Sequence, residues 1–221
     1  MLIIGERINS TRAHIREAMQ ARNSSLIVKE ARSQIEAGAD FIDVNCAMSL
    51  GDEVQDMDWV ISVIQSEIPD VSICIDSPNY LAIHRALEAY RAKGRLFINS
   101  ITGERARIDL IVPLAVKYNT GLIALTMGDC RMPNSAEERF VIAKDILAKV
   151  SEKGFKAEDL YFDPLVRPIS TEPEQAKELL RSIPMIKSLG ARTVCGLSNI
   201  SYGLPDRKAV NSTFLAMAIH S

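Results

Sequence analysis

Ile73-Cys74-Ile75-Asp76-Ser77-Pro78 is a short apolar run that ends on an acid and passes at once into a turn. Consecutive apolar side chains cover both faces of a strand, which suits a parallel sheet buried front and back. Ser77 offers a helix N-cap and Pro78 the first helical position, and Gly94 is placed to close that helix in a left-handed conformation. The stretch therefore predicts strand, tight turn, helix. The same unit recurs at Leu2-Ile3-Ile4-Gly5-Glu6, Phe41-Ile42-Asp43-Val44-Asn45, Leu96-Phe97-Ile98-Asn99, Leu122-Ile123-Ala124-Leu125-Thr126, Leu160-Tyr161-Phe162-Asp163 and Thr193-Val194-Cys195-Gly196-Leu197-Ser198-Asn199. The run ends are about 23 to 39 residues apart, which is room for a crossover helix.

The intervening segments carry helix punctuation. Ser135-Ala136-Glu137-Glu138 and Thr171-Glu172-Pro173-Glu174 have capping-box spacing, and Gly38, Gly154 and Gly190 read as stops. Ile108, Ile111, Val112, Ala115 and Val116 form one apolar stripe, and Trp59, Val63 and Ile64 another. Pro184 is expected to break or kink the seventh helical segment.

Alternating strand and helix allows a doubly wound open sheet or a (β/α)8 TIM barrel. Gly5-Glu6-Arg7-Ile8-Asn9 lacks the G-x-G-x-x-G of a dinucleotide binder, which favours the barrel. Seven strands are visible, and the last helical stretch, Lys208 to Ile219, ends where an eighth should begin. Because an open parallel barrel exposes two strand edges, the expectation is a single barrel domain over 1–221, cut short before its eighth strand.

Composition excludes several classes of function. The 221 residues carry 26 Lys and Arg against 28 Asp and Glu, a net charge of -2, so nothing favours a nucleic-acid backbone. No apolar run approaches the roughly 18 residues of a membrane span. Met1 to Arg7 is no signal peptide, and no export is expected. Cys46, Cys74, Cys130 and Cys195 show no C-x-x-C spacing; free thiols are expected, in a cytoplasmic setting.

In a barrel the strand carboxyl ends form the site, and here they hold Glu6, Asn45, Asp76, Asn99, Thr126, Asp163 and Asn199. Burying such groups costs several kcal/mol unless partners satisfy them, so the set as a whole implies a polar ligand, although any one, Asp76 above all, could instead cap a helix. No lysine or histidine stands at a strand end, against a Schiff-base aldolase; His14, His84 and His220 fall in helices. Two aspartates could hold magnesium, but carboxylates mixed with amides suit a flat heterocycle edge better, and no metal site is assigned. A pterin fits, and so does a guanine-like base. Phosphate recognition is poorly provided for: Gly196 to Tyr202 has no glycine pair or basic residue. Arg131, Arg167 and Arg207 lie beyond strand ends, either solvated or paired with an anionic tail, and Met127 and Met132 read as packing residues.

Ile4-Gly5-Glu6-Arg7-Ile8-Asn9, Asp43-Val44-Asn45, Ile75-Asp76-Ser77, Ile98-Asn99-Ser100, Asp163-Pro164-Leu165, Gly196-Leu197-Ser198-Asn199 and Thr213-Phe214-Leu215-Ala216-Met217-Ala218 follow in order along the whole chain. In these the sequence resembles the pterin-binding methyltransferases, namely the methyltetrahydrofolate:corrinoid methyltransferases of acetogenic and demethylating bacteria. It is similar also to the folate domain of cobalamin-dependent methionine synthase. The resemblance implies a TIM barrel that moves a methyl group between N5 of tetrahydrofolate, or a related pterin, and the cobalt of a corrinoid (cobalamin) on a partner protein. It implies that Asp76, Asn99 and Asp163 hold the pterin, that Asn199 reaches N5 as the catalytic residue, that Gly196 and Ser198 line the pocket, and that Asp43 supports it. It further implies a homodimer. Two stretches depart from the family: Cys46-Ala47-Met48-Ser49-Leu50 replaces a glycine-containing turn, and Tyr202 stands at a position that is polar in the acetogen enzymes. Both bear on which corrinoid protein docks. The alternatives are a dihydropteroate synthase-like condensation, whose seventh-strand lysine is missing here, and a non-catalytic folate-binding domain.

Overall fold

The computed structural model describes residues 1–128 and 132–221. Cys130 and Arg131 therefore lie outside the described residues. The chain divides into two compact units, Met1–Ser100 with Lys117–Gly121, and Ile101–Val116 with Leu122–Ser221.

The first unit contains β1 (Ile4–Asn9), α1 (Ala13–Gln20), α2 (Ser24–Glu36), β2 (Phe41–Asn45), α3 (Glu53–Glu67), β3 (Ile73–Asp76), α4 (Tyr80–Ala89) and β4 (Leu96–Ile101). Its strands pair in parallel in chain order. Ile42, Val44, Ile73, Ile75 and Ile98 are fully buried, as are Met57, Val60, Ile61 and Ile64 of α3. Each such side chain contributes roughly 1.5–3 kcal/mol of burial. The second unit contains α5 (Arg105–Lys117), β5 (Gly121–Leu125), α6 (Ala136–Ser151), β6 (Leu160–Asp163), α7 (Glu174–Lys187), β7 (Arg192–Thr193) and α8 (Arg207–His220). Here too the strands pair in parallel in chain order, and Val166, Leu179, Ile183, Ile200 and Phe214 form a core that seats α7 and α8. Strand order follows chain order, and the fold is the (β/α) barrel class expected, with seven strands among the described residues.

Several local expectations are corrected. The first strand is Ile4–Asn9, not Leu2–Glu6, because a bulge between Gly5 and Ile8 carries the chain past Glu6 and Arg7. The Arg7 N–H freed by the bulge donates to Gln34 Oε1 of α2 at 2.8 Å. A Cβ on Gly5 would lie 2.6 Å from that same oxygen, which is why a glycine precedes the bulge. The N-cap of α4 is Asn79, not Ser77; the Ser77 hydroxyl instead accepts from the Asn79 N–H at 2.9 Å. Gly94 does not close α4, which ends five residues earlier; a Cβ there would meet the Val71 carbonyl oxygen. Ser135 caps α6 as expected, but α7 has no side-chain cap from Thr171, whose hydroxyl donates to the Pro168 carbonyl. Pro184 sits within a continuous α7, near its end. In the α5 stripe, Val116 is exposed and Leu114 is buried.

The β7 strand is the largest correction. It pairs only at Arg192 and Thr193, Val194 adds one more bond to the Phe162 carbonyl, and Leu197–Ser201 winds into a 3-10 turn. Gly196 has no side chain to pack in a sheet, and the serines and Asn199 compete for nearby backbone groups, as the Ser201 Oγ bond to the Ser198 carbonyl illustrates.

Gly121 is required by packing. A Cβ there would come 2.4 Å from the Phe97 ring, which meets Phe41 edge-on with centroids 4.7 Å apart. Gly121→Ala should cost about 1–3 kcal/mol, seen as a melting temperature lowered by several degrees. An unchanged melting temperature would mean the Phe97 ring can swing aside.

Candidate active site

In the first unit, register lines up the polar strand ends. Asn9 pairs with Asn45, Asn45 with Asp76, and Asp76 with Asn99, giving one polar row across four strands. Two residues earlier along the strands, Asp43 and Cys74 are in register, and side chains two apart on a strand share a face. Asn45 Nδ2 donates to Asp76 Oδ2 at 2.7 Å, and Asn99 Nδ2 donates to Asp43 Oδ2 at 3.4 Å. The Ser77 hydroxyl donates to Glu53.

Three acids share this end of the strands. Burial pushes the Asp43 carboxyl well above its ordinary 3.8; Asp76 and Glu6 push it further, against hydrogen bonds from Cys74 and Asn99. Asp76 is raised by burial and by Glu53, and the Asn45 hydrogen bond opposes this. Glu6, brought to the group by the bulge rather than by a strand end, is raised by burial and by Asp76, with Arg12 opposing. Burial also holds the Cys74 thiol in its protonated form. The group offers carboxyl acceptors beside amide donors.

In the second unit, Asp163 ends β6 and its Oδ1 accepts the Leu165 N–H at 2.8 Å, a turn that holds Leu165 at a φ of 65°. Thr126 is not available to a ligand: its N–H and hydroxyl both donate to the Asp163 carbonyl, at 2.9 and 3.0 Å. Ser198 and Asn199 are exposed on the 3-10 turn, and the Asn199 side-chain amide makes no hydrogen bond among the described residues. A Cβ on Gly196 would lie 3.2 Å from Asn199 Nδ2, so the glycine leaves room for that amide. An open pocket of about 450 Å³ is lined by Asn199 together with Met132, Asn134, Arg167, Glu172 and Tyr202.

Arg167 and Met132 differ from expectation, whereas Arg207 is exposed, as a solvated arginine would be. Arg167 is buried, not a solvated loop cation; it donates to Glu172 at 2.6 Å and to the Pro133 carbonyl at 2.6 Å. Arg207 donates to Ser201 Oγ at 3.0 Å and to the Ser198 carbonyl at 2.9 Å, bracing the turn that carries Asn199. Met132 is exposed on the pocket wall instead of packed. The histidines remain in helices; His84 stacks on Tyr80. Sequence reasoning missed Arg139, fully buried in α6 with three hydrogen bonds, because Glu137-Glu138-Arg139 looks like a solvated helix face. It missed Asn9 as well, because Arg7 interrupts the apolar run.

A βα barrel whose strand ends pair carboxylates with amides, without a cluster of metal-ligating side chains among the described residues, defines a class that can hold a polar heterocycle by its edge. Residues 5–221 match the family model described as pterin binding enzyme, and the chain belongs to that family. The chain is 27% identical over 223 residues to the Methylcorrinoid:tetrahydrofolate methyltransferase of Eubacterium limosum, covering 99% of this chain and 81% of that protein. The fold is shared with solved dihydropteroate synthases. That of Xanthomonas albilineans in complex with 7,8-dihydropteroate has a TM-score of 0.65 at 15% identity, covering 99% of this chain and 83% of that one. That of Thermus thermophilus has a TM-score of 0.62 at 18% identity, covering 99% and 84%. No helix among the described residues is long and apolar enough to cross a membrane.

Proposed function

We propose that this pterin-family enzyme moves a methyl group between N5 of a tetrahydropterin, tetrahydrofolate in the first instance, and the cobalt of a corrinoid carried by a partner protein. The reading is supported above all by the Asn199 amide, exposed and without a hydrogen bond among the described residues, on a turn, Gly196 to Ser201, that carries no cation of its own; the nearby Arg207 and Arg167 are engaged with Ser201 and the Ser198 carbonyl, and with Glu172 and the Pro133 carbonyl. A condensation that expels pyrophosphate needs cations there. The name of the Eubacterium limosum relative, similar across 99% of this chain, points the same way.

In this reading, by resemblance to the family, Asp76, Asn99 and Asp163 hydrogen-bond the pterin, Asp43 supports the pocket, and Gly196 and Ser198 line it with Asn199. When the methyl group leaves N5, the N5–C bond breaks and its electron pair returns to nitrogen, while the electron pair of Co(I) forms the new C–Co bond. A tertiary amine is a poor leaving group, so N5 must be stabilised as the pair returns. Asn199 does this by donating its amide N–H in a preorganised geometry. No nucleophile is required of the protein, since cobalt supplies it. The reverse transfer uses the same groups. We place the enzyme in the cytoplasm as a homodimer.

The test is optical. On mixing the protein with methyltetrahydrofolate and a Co(I) corrinoid protein, the cobalt absorbance should change to that of the methylated state. Absence of that change, together with pteroate formation from a pterin pyrophosphate and p-aminobenzoate, would replace this reading with the synthase one.

A further inference from the structure

We infer that Asn45 is a positioning residue that holds Asp76 as a fixed hydrogen-bond acceptor for the pterin. This rests on the proposal that Asp76 binds the pterin.

The sense of the Asn45 amide is dictated from behind. Its Oδ1 accepts the Ala47 N–H at 3.1 Å, a donor that cannot reverse. It also faces the Ser10 hydroxyl at 3.4 Å. Ser10 is fully buried, and its Oγ already accepts the Met48 N–H at 2.8 Å, so its own hydrogen is left for Asn45. The backbone closes the same corner, with the Ser10 N–H donating to the Asn45 carbonyl at 2.9 Å. With Oδ1 engaged by donors, Nδ2 must face the other way, and there it meets Asp76 Oδ2 at 2.7 Å. A flipped amide would oppose two oxygens at that distance.

Asp76 needs such a donor because its other neighbours are acids. Glu53 faces it from α3, Glu6 from β1 and Asp43 from β2, and the Cys74 thiol lies on its own strand. Glu53 favours protonation of Asp76, Asp76 in turn raises Glu6 and Asp43, and Arg12 acts on Glu6. A protonated Asp76 loses acceptor capacity just where a pterin edge presents N–H donors. The Asn45 bond holds one carboxylate oxygen in place and favours the charged form, leaving the other oxygen to the ligand.

The sign follows directly. Without the Asn45 donor, Asp76 takes its proton at higher pH, so the pH below which tetrahydrofolate affinity is lost should move upward, with affinity recovering as pH rises. Asn45→Ser is the working variant, since its hydroxyl can still cap the Ala47 N–H but does not reach Asp76; Asn45→Ala is the harsher companion. Between the wild-type and variant midpoints the loss in affinity should be about tenfold or more, the scale of a hydrogen bond to a charged group. In an Asp76→Asn background, the same Asn45 substitutions should add little. An equal loss at every pH, or full additivity with Asp76→Asn, would overturn the inference. If the wild-type chain binds no tetrahydrofolate, the proposed function fails by itself. The action of Asn45 is then read from carbon-13 NMR titration of the Asp76 carboxyl in the ligand-free protein. A midpoint raised in Asn45→Ser supports the inference, and an unmoved midpoint ends it.

Discussion

Asn199→Ala is expected to slow single-turnover methyl transfer by about 10²–10³-fold, roughly 2.7–4 kcal/mol of transition-state stabilisation, while changing the pterin dissociation constant little. The reason for the split is that N5 gains a second electron pair, with developing negative charge, only as the N5–C bond breaks, so the Asn199 bond strengthens as the reaction proceeds. Removing it costs the transition state more than the ground state. Gly196→Ala supplies a graded companion. The added Cβ sits 3.2 Å from Asn199 Nδ2 and must displace the amide by a few tenths of an ångström. It should therefore lower the rate less than Asn199→Ala does, again with binding nearly intact. Stopped-flow absorbance of the corrinoid gives the rate, and equilibrium titration gives the affinity. If rate and affinity fall together in Asn199→Ala, Asn199 only binds, and its role in stabilising the departing N5 electron pair is lost.

What could be read from sequence follows from which interactions are local. The strands at Phe41–Asn45, Ile73–Asp76 and Leu160–Asp163 are found where apolar runs stop on a polar residue, because burial on both faces and an abrupt end are encoded in neighbouring residues. Asp76 and Asn99 stand out as candidates for the same reason. β1 escapes this pattern: Arg7 breaks the apolar run, and the bulge that tolerates it is satisfied by Gln34, on a different element. The pairing of Asn45 with Asp76 depends on strand register, which no single stretch displays. Nor does the turn at Leu197–Ser201 betray itself, since Val194-Cys195-Gly196-Leu197 reads as the end of a strand until the ladder is seen to stop after Val194. Arg167 looks like a loop cation until the Pro133 carbonyl and Glu172 close on it.

Arg139→Ala should be among the most damaging single changes, lowering stability by about 3 kcal/mol and the melting temperature by roughly 6–12 °C. The Arg139 side chain is shut off from water and bonded on three sides: Nε donates to the Pro164 carbonyl at 2.7 Å, Nη1 to the Ser135 carbonyl at 3.1 Å and Nη2 to Gln175 Oε1 at 2.9 Å. One planar group thus ties the start of α6 to the turn after β6 and to α7. Its position suits arginine alone, because lysine has no fork and can reach only one of the three acceptors. Burial and the neighbouring Arg167 both work against its charge, so some of the loss is offset by relief of that strain. Arg139→Met separates the contributions, since it keeps most of the volume and removes the charge. If the acceptors matter, the methionine variant stays several degrees below wild type, because the Pro164 and Ser135 carbonyls are left without their donor. If it melts with wild type, the guanidinium has contributed nothing net, as happens where hydrophobic replacement balances a buried ion. A second readout reaches the site. Pro164 directly follows Asp163, so at a temperature where both proteins are folded the methionine variant should weaken tetrahydrofolate binding more than it slows transfer at saturation, the reverse of the pattern expected for Asn199.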